Sequence, residues 1–281
     1  MTVVLITGCS SGLGRALARN FHARQFKVFA TARTPSALQD LELEGIRTVA
    51  LDVTSMQSVH QAVAHVVREA GTVDFLICNA GISRIGPVLE QSMEDIQAVM
   101  DTNFLGAVRC AQAVAGTMIQ QRSGVIALIG SVSSTLASPY AGLYSASKAA
   151  VHSIFTALRM ELAPFGVSVS IIEPGAFKSS LVNNNKLKIE NFSGSKSLYA
   201  RVTEHIEARA NASQSHKSTM TAEAVAQQIT NQLCKPKGPP THFLVAGGVW
   251  FLKFLGLIQT FVWPGLTDWA LNKKFGLSGK W

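Results

Sequence analysis

With 281 residues, 47% hydrophobic and 15% charged, the chain is long enough to bury one large core and too apolar to be disordered as a whole. Its formal net charge of +8 favours anionic ligands or acidic lipid surfaces, but the basic residues are scattered rather than clustered with aromatics, which argues against nucleic acid as a partner. The four cysteines, Cys9, Cys78, Cys110 and Cys234, form no CxxC pair and are too few for a disulfide scaffold, so they read as reduced thiols of an intracellular protein.

The chain opens on "TVVLITG" without the basic, long-apolar and small-residue succession of a secretory leader, and no such signal is expected. Short aliphatic runs then recur at 3–7, 27–32, 47–52, 74–78, 124–130, 167–175 and 242–248, separated by helix-length segments. This alternation predicts one α/β domain over 1–248, a doubly wound parallel sheet of seven strands covered on both faces.

The first run leads into "TGCSSGLG", Thr7 to Gly14. Gly8, Gly12 and Gly14 let the backbone turn sharply and approach a pyrophosphate resting on a helix N-terminus, the arrangement of a Rossmann-type dinucleotide site. Ser10, Ser11 and Leu13 complete that loop. The second strand ends "FATAR", with Arg33 where an NAD site usually has an acid; a guanidinium grips a 2′-phosphate that a carboxylate would repel, so the expected cofactor is NADPH/NADP. In "ALDVT", Asp52 beside Val53 accepts from the adenine amino group or else caps the next helix. "CNAG" places Asn79, Ala80 and Gly81 where a cofactor passes close to the backbone, although Asn79 also suits the bracing of neighbouring loops.

Ser131 follows the fifth run, and "LYSASKAAVHS" sets Tyr144 and Lys148 four residues apart among small neighbours. On a helix these two share one face. A hydroxyl to orient a carbonyl, a phenol to deliver a proton and an ammonium to lower the phenol's pKa make a proton-transfer site.

Together, TGCSSGLG, CNAG, Ser131 and YSASK resemble the short-chain dehydrogenase/reductase family over residues 2 to 180. The resemblance implies catalytic roles for Asn103, Ser131, Tyr144 and Lys148, with Tyr144 and Lys148 also touching the cofactor. Asn103, in "DTNFLGAV", matches the asparagine that bends its helix and holds a relay water. Pro174, Gly175, Phe177 and Ser179, in "EPGAFKS", match the segment beside the nicotinamide, Ser179 standing where threonine is common. Homodimers or homotetramers through helices near 101–122 and 143–163 are implied as well.

Two regions fall outside the alternation. Residues 179–221 are polar, short of core-forming side chains and inserted at the carboxyl edge of the sheet, which suits a substrate lid or a plain solvated excursion. Residues 249–281 are apolar with interleaved tryptophans and lysines, but Pro264 interrupts them. They are expected to lie in a membrane interface, or to pack on the body or a second copy, rather than to span a bilayer.

Within the family, "VVLITGCSSGLG" and "FKVFATAR" resemble the branch acting on steroids and retinol, including 17β-hydroxysteroid dehydrogenases of type 1. "YSASKAAVHS", "PFGVSV", "KSTMTAEAVAQQI" and "ALNKKFGL" resemble the fungal NADPH-dependent reductases of 1-acyldihydroxyacetone phosphate, which work at the endoplasmic reticulum and lipid droplets. Reduction of an acylated triose phosphate, conversion of another lipophilic ketone or alcohol, and a non-catalytic NADPH-binding sensor or scaffold at a membrane all stay open at this point.

Overall fold

The computed structural model describes residues 1–178, 197–212, 220–246, 249–259 and 264–277. Seven strands, β1 (Val3–Ile6), β2 (Lys27–Ala32), β3 (Arg47–Ala50), β4 (Phe75–Cys78), β5 (Gly124–Ile129), β6 (Val167–Pro174) and β7 (His242–Val245), form one sheet in the order β3-β2-β1-β4-β5-β6-β7. Every neighbouring pair is parallel. The order reverses between β1 and β4, so the loops after these two strands flank the crevice in which such sheets hold ligands.

The period of two in each strand separates two cores. Val3 and Leu5 face the side covered by α3 (Met56–Ala70), α5 (Gly106–Gln121) and α6 (Gly142–Leu162). Val4 and Ile6 face the side covered by α1 (Gly12–Ala23), α2 (Gln39–Leu43) and α8 (Ala222–Leu233). All four residues of β1 are buried, as a strand covered on both faces requires. The helices begin where the sequence supplies oxygen caps: Ser55 accepts from the Ser58 amide to start α3, and Thr221 from the Ala224 amide to start α8. Between α4 (Met93–Met100) and α5 lies a π turn, Asp101–Leu105, which makes one bent rod of the two helices.

The part of the 179–221 insertion that is described is less solvated than its polarity suggests. Its helix α7 (Thr203–Ala210) buries Ile206 and Ala210, and with Val202 these form a stripe four residues apart against Ile85, Tyr140, Ala141 and Phe275. At its base the insertion closes on itself, the Lys178 amide donating to the Met220 carbonyl at 3.0 Å. Ser179 and the remainder of the expected lid, 180–196 and 213–219, lie outside the described residues.

The tail provides α9 (Val249–Leu257) and α10 (Pro264–Lys274). Among the described residues no helix is long and apolar enough to cross a membrane. Both described parts of the tail are joined to the body. Lys253 Nζ lies 2.7 Å from Oε2 of the fully buried Glu173 on β6, whose carboxylate also faces His152 Nδ1 at 2.9 Å and His242 Nε2 at 3.3 Å. Gly256 sits so close to the loop after β5 that an added Cβ would come within 2.7 Å of the Thr135 carbonyl. Further on, Tyr140 donates its hydroxyl to the Phe275 carbonyl at 2.7 Å. The outcome inverts an ordinary surface helix: the lysine of α9 points inward, while Trp250, Phe251, Phe254 and Leu257 are exposed.

Candidate active site

The glycine loop and the CNAG segment are built as one unit. Gly8 has φ 74°, and a Cβ there would meet the Ala80 Cα at 2.8 Å, so a side chain is excluded both by backbone conformation and by space. Thr7 Oγ1 accepts from the Asn79 and Ala80 amides, each at 3.0 Å. Asn79 Nδ2 in turn donates to the Thr7 and Gly8 carbonyls at 2.9 and 3.1 Å. The bracing function of Asn79 is therefore met directly. Gly14 packs its Cα face against the Gly8 carbonyl, bringing the start of α1 onto the loop.

The N-terminus of α1 is chemically open. Ser11 stands at the cap position without a side-chain hydrogen bond, and no acidic residue occupies the first turn. Free amides and a positive helix end with no competing carboxylate suit a pyrophosphate. Ser10 and Ser11 are exposed beside them, and Leu13 is buried beneath. At the end of β2, Arg33 is exposed and, among the described residues, in no ion pair. Arg15 is already engaged by Asp40 at 2.8 Å and by the Ser10 carbonyl at 2.7 Å, which leaves Arg33 as the guanidinium available to a 2′-phosphate.

Asp52 does not cap α3, since Ser55 does. Its Oδ1 instead accepts from the Thr54 amide at 2.9 Å and the Thr54 hydroxyl at 2.7 Å, fixing the turn after β3. Val53 is buried against the start of α5, where a Cβ on Gly106 would come within 2.8 Å of it. Pro174 and Gly175 are buried at the end of β6, with Phe177 half-buried beyond them.

The four residues expected to act on the substrate converge on this edge. Asn103, 2% exposed, lies in the π turn, accepts from the Ile82 amide at 2.8 Å and donates to the Ile82 carbonyl at 2.9 Å and to Ser147 Oγ at 3.0 Å. Both ends of its side chain thus hold the loop after β4 against α6. Ser131 Oγ accepts from the Ser133 amide at 3.1 Å, which orients the hydroxyl beside the Tyr144 phenol, its hydrogen-bond partner. Lys148 is buried, donates to the Ile129 carbonyl at 2.9 Å and lies 5.7 Å from the centre of the Tyr144 ring. With no carboxylate beside it among the described residues, burial lowers the Lys148 ammonium to about 8.

The phenol differs from expectation. Burial raises the Tyr144 pKa, and the effects opposing that rise are a hydrogen bond with Ser131 and the positive charge of Arg209. Arg209, near the end of α7, is the residue that motif reading passed over. The only signal for it was the Val202, Ile206, Ala210 stripe, which shows that this part of the insertion packs inward.

Residues 2–190 match the family described as short chain dehydrogenases. The chain belongs to that family. A short-chain dehydrogenase of Talaromyces islandicus, cctT, is 36% identical to it over 287 residues, 99% of this chain and 96% of that one. The NADPH-dependent 1-acyldihydroxyacetone phosphate reductase of Schizosaccharomyces pombe is 39% identical over 180 residues, 63% of this chain and 60% of that protein. The solved structure of a short-chain dehydrogenase from Streptomyces avermitilis matches with a TM-score of 0.80 at 28% identity, covering 99% of both chains. As a short-chain dehydrogenase the chain is an oxidoreductase, and the single seven-stranded parallel sheet is the architecture it shares with the solved relative.

Proposed function

We propose that this oxidoreductase is an NADPH-dependent ketoreductase for lipophilic carbonyls, and that its substrate is 1-acyldihydroxyacetone phosphate, reduced to 1-acylglycerol 3-phosphate. The observation that carries the reading is the convergence of Ser131, Tyr144 and Lys148 beside an uncapped helix N-terminus and an unpaired Arg33. The S. pombe reductase, similar over 63% of this chain, supports the particular substrate.

The residues fit the cofactor: Gly8, Gly12, Gly14 and the α1 amides would hold the pyrophosphate, Arg33 the 2′-phosphate, Asp52 and Val53 the adenine, and Asn79, Ala80 and Gly81 the adjoining ribose side. Lys148, Pro174, Gly175, Phe177 and Ser179 would border the nicotinamide. NADPH bound there supplies hydride to the carbonyl carbon. Ser131 donates a hydrogen bond to the carbonyl oxygen, and Tyr144 gives up its phenolic proton as negative charge develops there. The raised phenol pKa keeps that proton in place at neutral pH, as a reductive direction requires. Lys148, still protonated at pH 7 with its pKa near 8, stabilises the phenolate that is left. Asn103 is a positioning residue, holding the loop after β4 against α6 through Ile82 and Ser147.

Exposed apolar side chains border this site. Val88 and Leu89 belong to the turn that follows the loop after β4, and Val88 lies so near α6 that a Cβ on Gly142 would come within 2.9 Å of it. Leu198, also exposed, is tied to the same turn by its amide, which donates to Glu90 Oε1 at 2.7 Å. An acyl chain has an apolar surface to follow there. The outward face of α9, with Trp250, Phe251, Phe254 and Leu257, and the exposed Trp269 near Lys273, support docking at a membrane or lipid-droplet surface of the endoplasmic reticulum. The exposed Leu105, Ile154 and Met160 support pairing of copies through the π turn and α6.

Reduction of another lipophilic ketone is the second reading, favoured by the 99% coverage by cctT, whose name specifies no such lipid. NADPH oxidation with 1-palmitoyl-dihydroxyacetone phosphate, a steroid ketone and retinal under the same detergent conditions separates the two. Strong preference for the acyl phosphate is expected; turnover of only the other ketones removes that substrate and keeps the chemistry. Tyr144→Phe should lower turnover by roughly 10²- to 10⁴-fold while NADPH still quenches tryptophan fluorescence. Substantial remaining turnover would sink Tyr144 as the proton donor.

A further inference from the structure

Among the described residues Arg209 is a cation held in place without a counterion. Its Nε donates to Ser138 Oγ at 3.1 Å, and Ser138 lies six residues before Tyr144 in the segment that leads into α6. The backbone that carries it is fixed, because Val202, Ile206 and Ala210 are buried against Ile85, Tyr140 and Ala141 of the same corner. Among the described residues its two terminal nitrogens have no hydrogen-bond partner, and no carboxylate lies within ion-pair distance. A guanidinium half out of water with an unfilled planar fork is unfavourable unless a ligand supplies two oxygens. Its charge is felt by the Tyr144 phenol, and burial lowers its own pKa, both consistent with a position inside the pocket rather than on its outer surface.

We propose that Arg209 is the anion-recognising residue of the substrate pocket, so that this enzyme selects ketones bearing a phosphate or carboxylate close to the reacting carbon. The proposal rests on the ketoreductase reading and narrows it. The substrate becomes amphiphilic in a defined sense: its apolar part follows Val88, Leu89 and Leu198, while its anion meets α7. Specificity for charge then sits on the insertion, apart from the helix that carries Tyr144 and Lys148. A bidentate oxyanion also offsets the Arg209 charge that acts on the phenol, which helps Tyr144 retain its proton until the carbonyl oxygen draws it off.

The test uses matched pairs of ketones with the full-length protein and saturating NADPH. One pair is 1-palmitoyl-dihydroxyacetone phosphate and 1-palmitoyl-dihydroxyacetone; the other is 2-oxohexadecanoate and its methyl ester. Wild type should prefer the anionic member of at least one pair, and which pair does so distinguishes phosphate from carboxylate. Arg209→Gln, which keeps a donor for Ser138, should lower kcat/KM for that anionic ketone by about a hundredfold, the loss of a strong charged contact, and for its neutral partner by at least tenfold less. Arg209→Lys should recover part of the preference by restoring the charge, which separates recognition from misfolding. Equal losses on both members of a pair, or a wild type indifferent to charge, would overturn Arg209 as the selector and leave the ketoreductase reading standing. A wild type that reduces none of the four ketones while binding NADPH would overturn both.

Discussion

Helix α6 carries two charged regions one turn apart, and they are built on opposite principles. At Lys148 an ammonium is buried with, among the described residues, only the Ile129 carbonyl for a partner, and its pKa falls to about 8. Four residues later His152 reaches Glu173, where a fully buried carboxylate gathers His152, His242 and Lys253 and is held far below the usual carboxylate range, hydrogen bonds and the Lys253 charge outweighing the opposing effect of burial. Among the described residues the first region lacks a counterion, and on the proposed function a bound ligand would complete it. The second is complete and joins the tail to the sheet. A buried charge with an internal partner is structural, whereas one without is where binding energy is to be gained.

The largest effect should come from the incomplete region. Lys148→Met is expected to reduce turnover at least a hundredfold while raising, or leaving unchanged, the melting temperature of the cofactor-free protein, because it removes a charge that burial disfavours. A clear fall in melting temperature would show that Lys148 is structural after all. The sign has a pH counterpart. Because the folded pKa lies below the ordinary 10.5, the folded state holds fewer protons than the unfolded one between about 8 and 10.5, and wild type should gain stability relative to Lys148→Met as pH rises through that window.

The complete region should respond the other way. Glu173→Gln is expected to destabilise by ~3 kcal/mol, since it strips the counterion from Lys253, with a melting-temperature loss of roughly 6–12 °C and a much smaller change in kcat than Lys148→Met. The depressed carboxylate contributes stability that is present above its ordinary pKa of 4.5 and is lost as pH falls toward its folded value. Denaturation midpoints measured from pH 6 down to pH 3 should therefore drop more steeply in wild type than in Glu173→Gln. Parallel curves would mean that the pair with Lys253 does not hold the tail.

Two exposed arginines complete the series. Arg33 is unpaired but solvated, and Arg33→Asp should move the ratio of NADPH to NADH affinity by about tenfold or more toward NADH, read as Kd by fluorescence. An unchanged ratio would assign selectivity elsewhere in the loop. Arg19 pairs with Glu44 at 2.6 Å on the surface, with both side chains about two-fifths exposed. Its replacement by alanine should cost less than about 1 kcal/mol, because water and salt screen such pairs. A larger loss in urea melts would show that exposure alone does not divide these cases.

Much of this arrangement was legible before any coordinates because its signals are local. The strand periods placed β1 to β7, with differences of up to three residues at the ends, and the glycine loop, CNAG and the Tyr144–Lys148 spacing lie on single elements. What was not legible depends on contacts between distant segments. Glu173 and Lys253 are 80 residues apart, and nothing in an apolar tail signals that its lysine faces inward. Arg209 reads as one more charge in a polar insertion until the stripe beside it is seen to be buried. Asp52 is a nearer case: of the two uses its residue type suits, the helix cap is taken by Ser55, and its Oδ1 holds its own turn through Thr54.

The π turn at Asp101–Leu105 also sets an angular phase. A helix advances about 100° per residue, so the extra residue in that turn fixes the rotation of α4 relative to α5. Deleting one residue from "DTNFL" would restore a regular helix and rotate Val99, the buried residue of α4, out of its place, while withdrawing Asn103 from Ile82 and Ser147. The segment can accept changes of residue type on its solvent side, but its length admits none.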